Sequence, residues 1–191
     1  MLITPNKLTA MRIIIVPMIV LVYFSNIAYA NVICTVLFTF AGITDWLDGY
    51  LARKYQMESK LGAFLDPVAD KLIVTTMLVL LVSSSNVLSE LWSPILFIVS
   101  CMIIIGREIT VSALREWMAE IGERASVKVS FVGKIKTTFQ MISIGMLLYL
   151  KPALGLPIAV IGEALFYIAA ALTLWSMTIY LSASWQAINK S

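Results

Sequence analysis

Four aspartates with helical spacing are the residues of this sequence best suited to chemistry. Asp45 and Asp48 are three positions apart, and Asp66 and Asp70 are four positions apart. In a helix, both spacings place the two side chains on one face. Because only a short loop separates the two segments, we expect antiparallel neighbouring helices whose carboxylate pairs face each other.

Facing carboxylates repel one another unless cations lie between them. Ligand sets made only of oxygen favour hard divalent ions such as Mg²⁺ or Mn²⁺, and two such ions balance four negative charges. A two-metal centre of this kind polarises phosphoryl oxygens and stabilises a leaving phosphate. The spacing therefore predicts a metal-dependent site for a phosphorylated substrate. A structural alternative is that the aspartates are solvated helix ends or salt-bridge partners of neighbouring basic residues.

Small and basic residues accompany the aspartates. Gly49 follows Asp45 by four residues and Gly62 precedes Asp66 by four, so each glycine shares a helical stripe with a carboxylate. A glycine lets a ligand approach the helix backbone closely. Arg53 stands at the end of the first acidic segment, and its planar guanidinium suits a phosphate oxygen.

The composition excludes several other chemistries. The chain has no histidine, and its two cysteines, Cys34 and Cys101, each lie in an apolar run. A Ser-His-Asp triad, a Cys-His pair and a histidine metal site are therefore excluded. The net charge of +3 comes without a basic run, so no nucleic-acid surface is predicted.

The elements that position the aspartates are predicted to be membrane helices. Of the 191 residues, 60% are hydrophobic and 13% are charged, and the mean hydropathy is +0.93; soluble domains are about half apolar and about one quarter charged. Segments of about 20 apolar residues are long enough to span a bilayer. We predict an all-α membrane protein with six transmembrane helices and a single domain over residues 1–191. The six segments cover residues 8–26, 31–53, 61–83, 92 to beyond 105, 133–150 and 157–181.

The distribution of basic residues predicts the orientation of these helices. With six spans, every lysine and arginine except Lys151 falls on the side that holds both termini. The positive-inside rule then places both termini in the cytoplasm. An alternative is that the first segment is a secretory signal cleaved after Ala30, but its removal would reverse this charge distribution.

The acidic segment resembles the signature of the CDP-alcohol phosphotransferase family. Every fixed position is present: Asp45, Asp48, Gly49, Ala52 and Arg53, followed by Gly62, Asp66 and Asp70. Members of this family are six-helix membrane enzymes, usually homodimers. They use a divalent metal and an alcohol hydroxyl to displace CMP from a CDP-linked donor.

The resemblance implies a role for each matching residue. Asp45, Asp48 and Asp66 look like metal ligands, and Asp70 looks like a ligand that also acts as general base on the acceptor hydroxyl. The segment from Thr4 to Thr9 is similar to one that closes over the nucleotide. The residues implied in binding the donor, CDP-diacylglycerol, are Thr4, Asn6, Thr9, Gly49, Ala52, Arg53, Ser59 and Gly62.

Two further segments, 106–117 and 133–137, make the resemblance specific to one branch of the family. They are similar to the bacterial branch of the family that makes phosphatidylglycerophosphate, whose acceptor is sn-glycerol 3-phosphate. This similarity implies a bacterial inner-membrane location with the site facing the cytoplasm. Other acceptors remain alternatives: inositol phosphate, serine or phosphatidylglycerol.

The residues of these segments suit an anionic acceptor. Arg107 and Arg115 are eight positions apart and so share a helix face. Lys134 and Lys136 begin the fifth apolar segment, where free N–H groups favour phosphate. We predict that these four residues bind the acceptor phosphate. The structural alternative is that they are membrane anchors or form ion pairs within the helix, with Glu108, Glu116 and Glu120 as partners.

Two other classes of protein remain for comparison. An intramembrane prenyltransferase needs two well-separated aspartate motifs, whereas all four aspartates here lie between positions 45 and 70. A divalent-cation carrier needs carboxylates along the membrane depth on several helices.

Glu163, in the sixth apolar segment, is an intramembrane acid for which the sequence predicts no partner.

Overall fold

The computed structural model describes residues 5–25, 27–55, 60–122 and 131–188. Within these ranges, side chains are described except at 5–7, 48, 50–55, 60–61, 63, 131–132, 134, 183 and 186–188. The described residues form seven α-helices and no strand, which confirms the all-α prediction. The helices are α1 (Pro5–Tyr23), α2 (Ala30–Tyr55), α3 (Lys60–Ser83), α4 (Ser85–Glu90), α5 (Pro94–Glu120), α6 (Phe131–Tyr149) and α7 (Ile158–Ile188).

Each of the six predicted apolar segments corresponds to one long helix. Within the described ranges, three helical stretches are long and apolar enough to cross a membrane: Ala30–Leu47, Pro94–Glu120 and Ile158–Ser182. A shorter apolar stretch, Leu8–Tyr23, belongs to α1. These stretches support a membrane protein, while the count of six spans and the orientation of the termini stay predictions.

The short helix α4 lies between α3 and α5 and was not predicted. It has only six residues, too few for a span and too few to show a clear helical period. The hydroxyl of Ser84 caps it by accepting a hydrogen bond from the Val87 N–H at 3.4 Å. Val87 is its buried residue.

The described helices form two compact units, of which the first comprises Met1–Glu90 and Ile144–Ala159. Within it, α1 packs against both α2 and α3. Ile19, Phe38 and Met77, one from each of these helices, are buried in its core. The two acid-bearing helices therefore share α1 as a common packing partner.

The second unit comprises Leu91–Ser143 and Val160–Ser191. In it, α5 packs along α7. Phe97 contacts Phe166 with ring centroids 4.8 Å apart, and further along Val111 and Met118 pack with Tyr180. The unit is thus held by apolar contacts over most of the length of α5.

Many large apolar side chains point away from these cores. Leu21 is 73% exposed, Ile95 is 77% exposed and Met102 is 67% exposed. Exposed apolar surface on this scale is typical of a face that meets lipid or another apolar partner. Both cysteines, by contrast, are buried and carry free thiols.

Glu163 caps the start of α5 from α7. Its carboxylate accepts hydrogen bonds from the N–H groups of Trp92 at 2.8 Å and Ser93 at 3.1 Å. The Tyr167 hydroxyl donates a third bond to Glu163 Oε1 at 2.6 Å. Ser93 occupies the N-cap position without a side-chain cap bond of its own. A buried negative charge at a helix N-terminus is stabilised by the free N–H groups and the helix dipole.

We expect Glu163→Ala to lower the stability of the protein by about 2 kcal/mol, because it removes a cap and a charge-assisted hydrogen bond. Thermal unfolding in detergent measures this loss. Glu120→Ala, which removes an exposed acid at the end of α5, is the matched control and should unfold like the parent protein. Equal unfolding temperatures for Glu163→Ala and the parent would contradict the capping role.

Candidate active site

Three carboxylates from two helices converge on one guanidinium. Arg12 of α1 places Nη1 2.6 Å from Asp45 Oδ1 and 2.6 Å from Asp70 Oδ1. Its Nη2 lies 3.2 Å from Asp66 Oδ1. We call these three aspartates the acid cluster. The spacing prediction that α2 and α3 bring their acids together is confirmed for these residues.

The acid cluster is open on one side and closed on the other. Arg12 is only 2% exposed, whereas the side chains of Asp45, Asp66 and Asp70 are 49%, 43% and 53% exposed. All three of these ion pairs use Oδ1. The guanidinium therefore lies on the buried side of the cluster, and the carboxylates remain accessible to a ligand.

A second residue of α1 contacts the acid cluster. The Thr9 hydroxyl donates a hydrogen bond of 2.6 Å to Asp66 Oδ1, and Thr9 is fully buried. Thr9 and Arg12 are three positions apart, so they lie on one face of α1. The role of Thr9 toward a nucleotide stays a prediction, and in this structure its hydroxyl helps to orient an acid of the cluster.

The remaining residues predicted for this site differ in how far the structure describes them. Gly49 lies in α2 and is half-buried, and Gly62 lies buried in α3. Thr4 and Ser59 lie outside the described residues. Four other residues predicted for this site lie in described helices, but the structure does not describe their side chains: Asn6 in α1, and Asp48, Ala52 and Arg53 in α2.

The donor set fits a divalent cation in its chemistry. Carboxylate oxygens are the ligands that Mg²⁺ and Mn²⁺ prefer, and here they surround a positive charge. As they stand, the described side chains include no group of three acids arranged to hold a metal ion directly. In this arrangement, the Oδ1 atoms are turned to Arg12 instead.

A second charged cluster lies in the other unit, between α5 and α6. Glu108 accepts a hydrogen bond from Lys136 Nζ and another from Arg107 Nη1 at 3.1 Å. Arg107 Nη2 donates to the Ser176 hydroxyl at 3.2 Å. Lys136 is 2% exposed and Arg107 is also buried. Two cations against one carboxylate leave this cluster with a net positive charge.

Arg115 joins Arg107 on the same side of α5. The Cζ atoms of Arg107 and Arg115 lie 5.5 and 5.2 Å from the centre of the Tyr180 ring, within cation–π range. Arg115 Nη2 also donates to the Tyr180 hydroxyl at 2.9 Å. The two arginines thus share a helix face, as their spacing predicts. The side chain of Lys134 lies outside the description.

Two buried polar atoms belong to the helices of this second cluster. Among the described residues, Arg107 Nε and Gln140 Oε1 are buried without a hydrogen-bond partner. Gln140 follows Lys136 by four residues, on the same face of α6. Buried polar atoms are nearly always hydrogen-bonded, so the Arg107 Nε–H is free to donate to a polar ligand or water, and Gln140 Oε1 is free to accept from one.

Arg12 was not predicted as a residue of the site. The sequence analysis used it only as one of the basic residues that orient the predicted helices in the membrane. The available signal was a charged residue inside the apolar stretch Leu8–Tyr23, since an ionisable group within a membrane helix usually has a partner or a function. For Glu108, the sequence offered the nearby basic residues as partners. The structure adds Lys136, which is 28 positions away.

Comparisons with known proteins match almost the whole chain. Residues 2–175 match the sequence profile of the CDP-alcohol phosphatidyltransferase family. The CDP-diacylglycerol–glycerol-3-phosphate 3-phosphatidyltransferase of Salmonella choleraesuis is 45% identical over 180 residues, which cover 94% of this chain and 93% of that protein. The proteins of the same name from Yersinia enterocolitica and Escherichia coli K12 are 45% and 44% identical. These two matches cover 95% and 94% of this chain, and 94% and 93% of the relatives.

Proposed function

The chain belongs to the CDP-alcohol phosphatidyltransferase family, and from this membership we propose that it transfers the phosphatidyl group of CDP-diacylglycerol to sn-glycerol 3-phosphate. The products are phosphatidylglycerophosphate and CMP. Identity of 44–45% over more than nine-tenths of the chain, to enzymes named for this reaction, supports the proposal. The acid cluster supplies the chemistry that such a transfer needs.

We propose that Asp45, Asp48, Asp66 and Asp70 hold two divalent ions, Mg²⁺ or Mn²⁺. When bound, such ions polarise the phosphoryl oxygens of the donor and neutralise the charge on departing CMP. The exposure of the three described carboxylates and the oxygen-only donor set support this assignment.

Asp70 is the proposed general base. It accepts the proton of the acceptor hydroxyl while that oxygen forms a bond to the phosphorus that carries diacylglycerol. The bond from this phosphorus to the bridging oxygen breaks, and CMP leaves with the electron pair. Asp70 is the most exposed of the three described acids, which supports its access to an incoming hydroxyl.

The donor is proposed to bind along α2, α3 and the start of α1. Gly49, Ala52 and Gly62 present little side chain, so a diphosphate or cytidine ring can approach the helix backbone. The side chains of Arg53 and Ser59 can donate hydrogen bonds to the phosphates of CDP-diacylglycerol. The segment from Thr4 to Thr9, which includes Asn6, is proposed to close over the nucleotide.

The acceptor phosphate is proposed to bind Arg107, Arg115, Lys134 and Lys136. The net positive charge of the second cluster and the unsatisfied Nε of Arg107 support an anionic ligand. Glu108 keeps Arg107 and Lys136 in fixed orientations, which lowers the entropy lost when a phosphate binds.

The membrane setting fits a lipid donor. The acyl chains can stay in the bilayer while the diphosphate reaches the acid cluster. We propose an inner-membrane enzyme of a bacterium, with six spans, a cytoplasmic active site and a homodimeric state. The excess of basic residues on one side of the predicted topology supports this orientation.

The direct test is CMP release from CDP-diacylglycerol by the purified protein, assayed with a panel of alcohols. We expect release with sn-glycerol 3-phosphate and at most background release with inositol phosphate, serine or phosphatidylglycerol. A chelator should abolish the activity, and added Mg²⁺ or Mn²⁺ should restore it. Release with another alcohol alone would replace the proposed acceptor, and activity in chelator would contradict the metal centre.

For Asp70→Asn we expect a loss of turnover of about 100-fold or more, because the amide cannot accept the proton of the hydroxyl. Donor binding, measured by competition with CDP, should change little. Glu116→Gln, which removes an exposed acid of α5, is the control and should keep normal turnover. Near-normal turnover in Asp70→Asn would contradict the assignment of Asp70 as the general base.

For Arg107→Ala and Lys134→Ala we expect the apparent KM for glycerol 3-phosphate to rise about tenfold or more, since each change removes a charge-assisted hydrogen bond. The KM for CDP-diacylglycerol should rise less. Lys151→Ala, at the basic residue predicted for the opposite side of the membrane, serves as the control. An equal rise in both KM values would count against an acceptor-phosphate site at these residues.

A further inference from the structure

Arg12 is a buried cation whose described ionic contacts are with the acid cluster. It is 2% exposed, and its two terminal nitrogens lie 2.6–3.2 Å from Oδ1 atoms of Asp45, Asp66 and Asp70. A charge removed from water must be compensated by close opposite charges. Here the compensation comes from residues of α2 and α3, whereas Arg12 itself belongs to α1.

The contact with Arg12 also reduces the repulsion among the three carboxylates of the acid cluster. Three carboxylates held this close repel one another when no cation lies among them. Nη1 of Arg12 is shared between Asp45 of α2 and Asp70 of α3, so one nitrogen joins the two helices. The guanidinium therefore supplies positive charge to the cluster from a residue of the chain itself.

We propose that Arg12 is the resident counter-cation of the acid cluster: it holds the carboxylates of α2 and α3 together before metal binds, and it competes with divalent ions for them. This inference rests on the proposed function, because it takes the cluster to be the metal centre. Arg12 is a positioning residue in this role. It acts on the reaction through the three aspartates.

Competition between Arg12 and metal has a reciprocal consequence. If the guanidinium weakens metal binding, metal weakens the hold of the guanidinium by the same factor. Removal of the positive charge should therefore tighten metal binding and, without metal, should destabilise the protein. An ordinary structural ion pair predicts the loss of stability alone.

Two substitutions separate the charge of Arg12 from its shape. Arg12→Gln keeps a hydrogen-bonding side chain without charge, and Arg12→Lys keeps the charge without the planar fork. Equilibrium dialysis of the purified protein against buffered Mn²⁺, read by the electron paramagnetic resonance signal of free Mn²⁺, gives the affinity. This measurement needs no metal-free protein, so a variant that unfolds in chelator can still be measured.

We expect Arg12→Gln to bind Mn²⁺ about tenfold more tightly than the parent protein, and Arg12→Lys to stay within a few-fold of it. In chelator, the unfolding temperature of Arg12→Gln should fall, and Mn²⁺ should raise it by more than it raises that of the parent. Glu163→Gln removes another buried charge, one that is hydrogen-bonded outside the acid cluster. It should lower stability without any change in Mn²⁺ affinity.

Unchanged or weaker Mn²⁺ binding by Arg12→Gln would overturn the inference, because Arg12 would then be a structural ion pair or a support for the metal ligands. A parent protein that binds no Mn²⁺ would instead overturn the metal centre of the proposed function. The Mn²⁺ titration of the parent therefore distinguishes the two failures.

Discussion

The need to neutralise charge inside an apolar chain determines how the first unit is built. Asp45, Asp66 and Asp70 come from two helices, and all of them contact the guanidinium of Arg12 on a third. Helix α1 therefore does more than add apolar contacts to α2 and α3. It carries the positive charge that allows their acidic ends to lie side by side, and Thr9 on the same face holds one of those acids in place.

The second unit meets the same constraint with the opposite balance. There a single acid, Glu108, lies between two buried cations, Arg107 and Lys136. Glu163, also buried, is satisfied by backbone N–H groups at the start of α5 and by Tyr167. The acidic excess of the acid cluster suits cations, and the basic excess around Glu108 suits a phosphate. Both balances agree with the proposed transfer, which needs divalent metal and an anionic acceptor.

Much of this arrangement could be predicted from the sequence because it depends on local patterns. Apolar segments fix the six long helices, and the intervals of three and four residues put each pair of acids on one face. What could not be predicted depends on contacts between distant residues. Arg12 is 33 to 58 positions from the acids that it contacts, and Glu163 is 71 positions from Trp92. No spacing rule joins such residues, and α4 is too short to show a period.

The burial of both cysteines gives this chain a practical advantage for mapping its topology. Cys34 is 0% exposed and Cys101 is 2% exposed, and thiol reagents modify accessible thiolates. The parent protein is therefore a nearly silent background for maleimide chemistry. One new cysteine placed in the turn between α6 and α7, where Leu154 is fully exposed, reports which side of the membrane that turn faces without removal of either native thiol.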